Sequence, residues 1–344
     1  RTSRALSAAC GSMELLALLM SLLAYSPFLA VALVAQWSDR HWAARWVTYG
    51  LTLFFDGLLA LLGLLALLIG RSQQVQRLLL AKVPGVVSGG WSGFASVILG
   101  AALLAPVSLL PPARRGLARL IPIDPDSCIH AAALALAIQA LGLNFSQVPL
   151  LGGLDVLAEG ASPVPFLALL VSNLPIGLFA LVGVGFLIRR TPRETWQRLG
   201  VERVTRRQLG LTVTLTLVIL VFYYGVDWVW RALDPAGYEM IEALSQVLYG
   251  GVMSTWRAIA ISVVAGVTEE LFFRGALQPR FGWLLTAVLF TGAHVQYGFT
   301  PATLEVLGGA LVLGWLRHRT NTSACVLLHI LYDLAGLLVF PLLP

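Results

Sequence analysis

The chain has 344 residues, of which 58% are hydrophobic and 12% charged, against roughly 25% charged in a typical soluble domain. With apolar runs of about 20 residues recurring along most of its length, this composition excludes a soluble protein of two or three domains. It implies an all-α, multi-pass transmembrane helical bundle. The net charge of +6 sits in short loops, without the long basic stripe and interleaved aromatics of a nucleic-acid binder. Nucleic acid is therefore excluded as a partner, and the lipid bilayer is the expected one.

Residues 1–12 are small and polar, and Met13 opens the first apolar run, which makes Met13 a candidate start. The run 15–34 exceeds the apolar stretch of a secretory signal and reads as a first spanning helix. A bilayer-crossing helix needs ~20 mostly apolar residues, which places spans near 14–35, 46–69, 91–110, 128–144 and 164–188. Five more follow near 209–230, 256–273, 284–299, 303–316 and 323–340, giving about ten. Cys10, Cys128 and Cys325 lie far apart in apolar surroundings with no CxxC spacing, so they are expected to be inert packing residues. Asp56, alone in the second span, is read as a helix-packing residue, and 236–250 as a short interfacial helix.

Orientation follows from Lys and Arg, which stay on the cytoplasmic side in short loops. The loop 189–208 carries seven arginines, the densest cluster in the chain. Placed inside, it leaves 274–283 and 317–322 inside as well. Counting backwards puts Arg71, Arg77 and Lys82 outside, so either an early helix is miscounted or 70–90 lies along the interface. The same loop divides the chain. Residues 1–188 form an N-terminal transmembrane region of unknown role, 189–208 a basic cytoplasmic loop, and 209–344 a transmembrane core that holds the ionisable residues.

An ionisable side chain inside hydrocarbon is costly and reads as functional by default. The seventh span ends Glu269-Glu270-Leu271-Phe272-Phe273-Arg274, the eighth holds Phe290 and His294, the ninth Glu305, and the tenth His329 and Asp333. Glu270 and Arg274 are neighbours at i and i+4, whereas Glu269 is turned from Glu270 by ~100°. One glutamate is thus neutralised while the other stays free. His329 and Asp333 also stand at i and i+4. Counted from the helix ends at ~1.5 Å per residue, Glu269 lies ~7 Å deep, His329 ~9 Å, and His294 and Asp333 ~15 Å. A shared depth predicts one polar chamber opening towards the cytoplasm. Phe290, one turn from His294, is expected to wall it. Glu305 is placed at the interface, with gating of access as the other reading. Gln296, Tyr297 and Thr268 are open between substrate path and ordinary interfacial positions.

The ordered set Glu-Glu-x-x-x-Arg, Phe-x-x-x-His and His-x-x-x-Asn/Asp on successive helices resembles the CAAX protease and bacteriocin-processing (CPBP, or Abi) family. The likeness covers roughly 256–340. It implies an intramembrane endopeptidase acting on a membrane-embedded or lipidated peptide or protein, through CAAX-type processing or bacteriocin-related chemistry, in a bacterial cell membrane. It also implies roles: Glu269 activates a water with help from His294, Glu270 and Arg274 form a structural pair, and His329 with position 333 stabilises the oxyanion.

Position 333 is Asp, which donates a hydrogen bond only when protonated, so Asp333 is open between the oxyanion role, orienting His329 and binding a cation. No cofactor is favoured. A divalent metal such as zinc is the alternative, held by His294, His329 and either Glu269 or Asp333. Other readings are an ion- or proton-coupled transporter, an inactive membrane scaffold, and a purely structural network of hydrogen bonds.

Overall fold

The computed structural model describes residues 23, 25–80, 89–150, 163–252 and 254–338. Among these the chain forms helices and no β-strand. In chain order they begin with α1 (Tyr25–Ala35), α2 (Trp42–Arg71), α3 (Gln73–Leu80), α4 (Gly90–Leu104) with a 3-10 extension Ala105–Leu109, α5 (Pro111–Leu117) and α6 (Cys128–Leu150). Then come α7 (Phe166–Ser172), α8 (Leu174–Gly183), α9 (Pro192–Leu199), α10 (Arg206–Leu233) and α11 (Pro235–Tyr249). The last group is α12 (Thr255–Glu270), a π-helical turn Leu271–Leu277, α13 (Gln278–Ala293), α14 (Pro301–Arg319) and α15 (Thr322–Leu338).

Among the described residues five stretches are long and apolar enough to cross a bilayer: α2, α4 with its extension, α6, the α7–α8 pair and α10. The expected ten do not map onto these one to one, for physical reasons. Residues 14–22 and 24 of the predicted 14–35 span lie outside the described residues. The predicted 164–188 span bends at Asn173, where Pro175 occupies the first turn of α8 and removes a backbone donor. The helices that carry the ionisable residues are only 16, 16, 19 and 17 residues long, and their polar side chains lower their hydropathy.

The long helices are inside-out relative to a soluble protein. On α2 the buried face is Thr48, Thr52, Asp56, Gly63 and Ala66, while Leu61, Leu64 and Leu68 are exposed. Small and hydroxylated residues let helices approach closely where lipid offers no hydrophobic drive. The Thr48 and Thr52 hydroxyls donate to the carbonyls of Ala44 and Thr48 at 2.7 Å each. Asp56 accepts from Gln139 Nε2 at 3.1 Å, which ties α2 to α6 as a packing contact. Cys128 and Cys325 are buried and unbridged.

The basic segment is more ordered than a loop. Thr191 and Glu194 form a capping box at the start of α9, and Thr205 and Gln208 another at the start of α10. Hydrogen bonds to the Thr191 backbone and hydroxyl hold the Glu194 carboxyl below the usual carboxylate range. The segment is tied to the site helices: Thr322 Oγ1 donates to Leu199 O at 2.5 Å and Thr322 N to Gly200 O at 2.9 Å. Arg198 donates to the carbonyls of Gly275 and Ala276 at 2.8 and 3.3 Å.

Two local features shape the functional helices. Gly266 lets α12 meet α15, since a Cβ there would lie 3.0 Å from Ile330 Cγ1 and 3.5 Å from His329 Cβ. At α13 the helix is interrupted at Gly282 (φ 73°) and stops at Ala293, earlier than the expected 299. His294 ends it, because its ring Nδ1 bonds the Phe290 carbonyl at 2.9 Å and occupies an acceptor that the next turn would need.

Candidate active site

The two glutamates at the end of α12 face different surroundings, as their ~100° offset requires. Glu270 points into protein. Its Oε2 lies 3.2 Å from Arg274 Nε, with the two side chains 0% and 1% exposed, and its Oε1 lies 2.8 Å from His329 Nδ1. The i,i+4 pair is thus extended to a third member on another helix. Arg274 also donates to Ala310 O at 3.3 Å, and its guanidinium stands 4.5 Å from the centre of the Phe290 ring. The pairing is chemically sensible, because an arginine this deep needs a counter-charge and every N–H it can place.

Glu269 faces a cavity. Its Oε2 lies 3.9 Å from His294 Nε2, too far for a direct hydrogen bond. The Phe290 carbonyl can only accept, so the neutral His294 ring carries its proton on Nδ1 and turns an unprotonated Nε2 towards Glu269. Two acceptors 3.9 Å apart leave room for one water donating to both at ~2.8 Å.

His329 closes the arrangement. With Nδ1 on Glu270, its Nε2 faces Asp333 Oδ2 at 3.6 Å, beyond hydrogen-bond length. The ring stacks on Tyr332 with centroids 4.8 Å apart, and meets the Phe290 ring in a T-shaped contact with centroids 6.2 Å apart. Phe290 also stacks on His294 at 4.6 Å. It is therefore more than a chamber wall, since one ring touches His294, His329 and Arg274.

Glu269, His294, His329 and Asp333 line one cavity of about 1190 Å³, whereas Glu270 and Arg274 lie behind its wall. Gln296, Tyr297 and Glu305 line it too; Thr268 does not, and its hydroxyl donates to Val264 O at 2.8 Å. Glu305 thus faces the chamber together with Asp227 of α10, which sequence reasoning had not singled out. Also missed were the contributions of the early helices. Phe28, Leu136 and Phe179 of α1, α6 and α8, with Asn173 at the junction of α7 and α8, form part of the wall. No periodic signal marks such residues, because these helices are apolar on most faces.

The metal alternative can be tested on geometry. A catalytic zinc takes three protein ligands at ~2.0–2.2 Å. Among the described residues no group of three or more His, Cys, Asp or Glu side chains is placed to hold an ion. His329 Nδ1 is occupied by Glu270, and the set of His294, His329 and Glu269 or Asp333 does not converge on one point. As placed here, these side chains are not gathered as a three-ligand zinc site.

An apolar helical assembly with ionisable groups lining one internal cavity is the make-up of an integral membrane protein. Comparison with known families makes the class specific. Residues 251–335 match the family model of the type II CAAX prenyl endopeptidases, Rce1-like, in agreement with the CPBP resemblance of the motif residues in the C-terminal part of the chain. The match supports an intramembrane protease in general and covers the helices that hold all six motif residues. No curated protein and no solved structure matches the chain.

Proposed function

We propose that the chamber hydrolyses a peptide bond of a membrane-associated or lipidated protein or peptide, with Glu269 as general base. The observation that carries this reading is the facing pair of Glu269 and His294 across 3.9 Å at the cavity wall. A water held between them gives one proton to the Glu269 carboxylate as its oxygen attacks the scissile carbonyl carbon. Its second hydrogen bond, to His294 Nε2, fixes the attacking lone pair. Glu269 then passes the proton to the leaving nitrogen as the C–N bond breaks.

The negative charge that develops on the carbonyl oxygen needs a preorganised donor. His329 supplies it: with Nδ1 anchored on Glu270, the doubly protonated ring presents Nε2–H. Asp333, at 3.6 Å from that nitrogen, orients the ring in the resting site and so takes the orienting role among its three readings. Glu270 and Arg274 hold α12 and α15 in register. A cavity of about 1190 Å³ exceeds the ~300–1,000 Å³ of ordinary small-ligand sites, as a peptide with an attached lipid requires. The arginines of 189–208 put the adjoining end of the chamber on the cytoplasmic side, in what we take to be a bacterial cell membrane.

The test is cleavage of a synthetic peptide ending in a prenylated CAAX sequence by the purified protein in liposomes, read by mass spectrometry. Release of the C-terminal fragment is expected, and it should persist after incubation with 1,10-phenanthroline. Activity lost to the chelator and restored by zinc would overturn the metal-free mechanism. An intact substrate set, lipidated and unlipidated alike, would overturn the protease reading.

A further inference from the structure

The chamber is polarised. Asp227, Glu242 and Glu305, with Arg231 among them, line one part of it, and His130, Arg198 and Arg280 another. Resting on the protease reading above, we propose that His130, Arg198 and Arg280 form a subsite that binds the free α-carboxylate at the C-terminus of the substrate, and so fix how far from that terminus the chain is cut.

Each of the three offers donors, and the one carboxylate within electrostatic range of His130 is that of Asp124. The His130 ring accepts the Asp124 backbone N–H on Nδ1 at 2.9 Å, so the neutral ring carries its own proton on Nε2 and is a donor there. Arg198 spends one nitrogen on each of the Gly275 and Ala276 carbonyls and keeps further N–H groups. Arg280 lies within electrostatic range of both His130 and Arg198. Among the described residues no carboxylate forms an ion pair with Arg198 or Arg280. Burial, together with Arg280, Arg190 and Arg317, pushes the Arg198 guanidinium down to about 10. Cations crowded in this way are relieved by a bound anion.

Spacing selects the anion. Glu269 and Arg280 stand on one uninterrupted helical run, α12 through the π-turn into the start of α13. Their eleven-residue separation is roughly 15 Å of rise. An extended peptide covers ~3.3–3.6 Å per residue, so a carboxylate three or four residues beyond the scissile bond lies ~10–14 Å away. The Arg280 side chain closes the remainder. His130, in the N-terminal region, and Arg198, in the basic segment, lie outside the segment 251–335 that matches the family, whereas Arg280 lies inside it, so the subsite joins the two parts of the chain.

The experiment compares a prenylated peptide bearing a free C-terminal carboxylate with its C-terminal amide, on the full chain in phosphatidylcholine liposomes. Wild type should favour the acid by at least about tenfold in kcat/KM, the value of a charge-assisted contact. In Arg280→Gln that ratio should fall towards one, and in Arg280→Lys it should be partly retained. Equal cleavage of acid and amide by wild type, or an unchanged ratio in Arg280→Gln, overturns the subsite. A second measurement needs no turnover: the acid peptide should raise the melting temperature of Glu269→Gln protein more than the amide does. Acid-selective stabilisation without any cleavage would uphold the subsite while sinking the protease reading; equal stabilisation sinks the subsite whether or not cleavage occurs. Arg280-dependent stabilisation by phosphatidylglycerol, with no preference between the peptides, would assign the subsite to a lipid phosphate and overturn the proposal.

Discussion

Glu269→Gln lowers kcat for the prenylated peptide by ~10²–10⁴-fold, the usual worth of a positioned general base, and leaves KM and the melting temperature close to wild type. The split follows from the geometry. Glu269 forms no direct hydrogen bond with His294 at 3.9 Å, so its loss removes a reactive group without unpairing a buried charge. The amide is isosteric, so the cavity keeps its shape and the substrate stays bound. Peptides should therefore copurify with this variant and be absent from wild type. A variant retaining more than a tenth of the wild-type kcat would show that Glu269 is not the base.

Glu270→Gln gives the opposite pattern, a loss of stability together with activity. The carboxylate is fully buried and meets two partners, Arg274 Nε at 3.2 Å and His329 Nδ1 at 2.8 Å. Removing one member of a buried pair strands the other charge, at a cost of about 3–5 kcal/mol. We expect a shift of that size in the unfolding of the detergent-solubilised protein. Replacing both partners, as Glu270→Leu with Arg274→Met, should recover much of the stability, because matched apolar residues remove the stranded charge. Activity should not return, since His329 still lacks its anchor. Full activity in the double variant would contradict the role given to Glu270, as would a shift below ~1 kcal/mol in the single one.

The two glutamates show how far the sequence reaches. Their different surroundings are legible from the helical period alone, which sends Glu269 and Glu270 to different faces and puts Arg274 on the face of Glu270. Depth counting likewise brings Glu269, His294, His329 and Asp333 to one level. What periodicity does not contain is contact between helices distant in sequence. Glu270 and His329 are 59 residues apart, and the only local hint of their meeting is Gly266, one turn before Glu270 on the face that touches α15. The triple contact of Phe290 with His294, His329 and Arg274 is hidden for the same reason.

Helix ends were also misplaced where a side chain acts on the backbone, as His294 does on Phe290 O, because hydropathy continues smoothly through the break. The N-terminal helices gave no functional signal at all. Their wall residues, such as Phe28 and Phe179, are as apolar as those facing lipid. Only the assembled bundle distinguishes a wall from an outer surface.

The central claim is that a water between Glu269 and His294 cuts a peptide bond inside the membrane. It is tested most directly by running the reaction in water enriched in oxygen-18 and weighing the products. The account predicts one heavy oxygen in the newly formed carboxylate with wild type, and no product with Glu269→Gln. Cleavage that survives Glu269→Gln, or proton flux across liposomes with no peptide product, would contradict it.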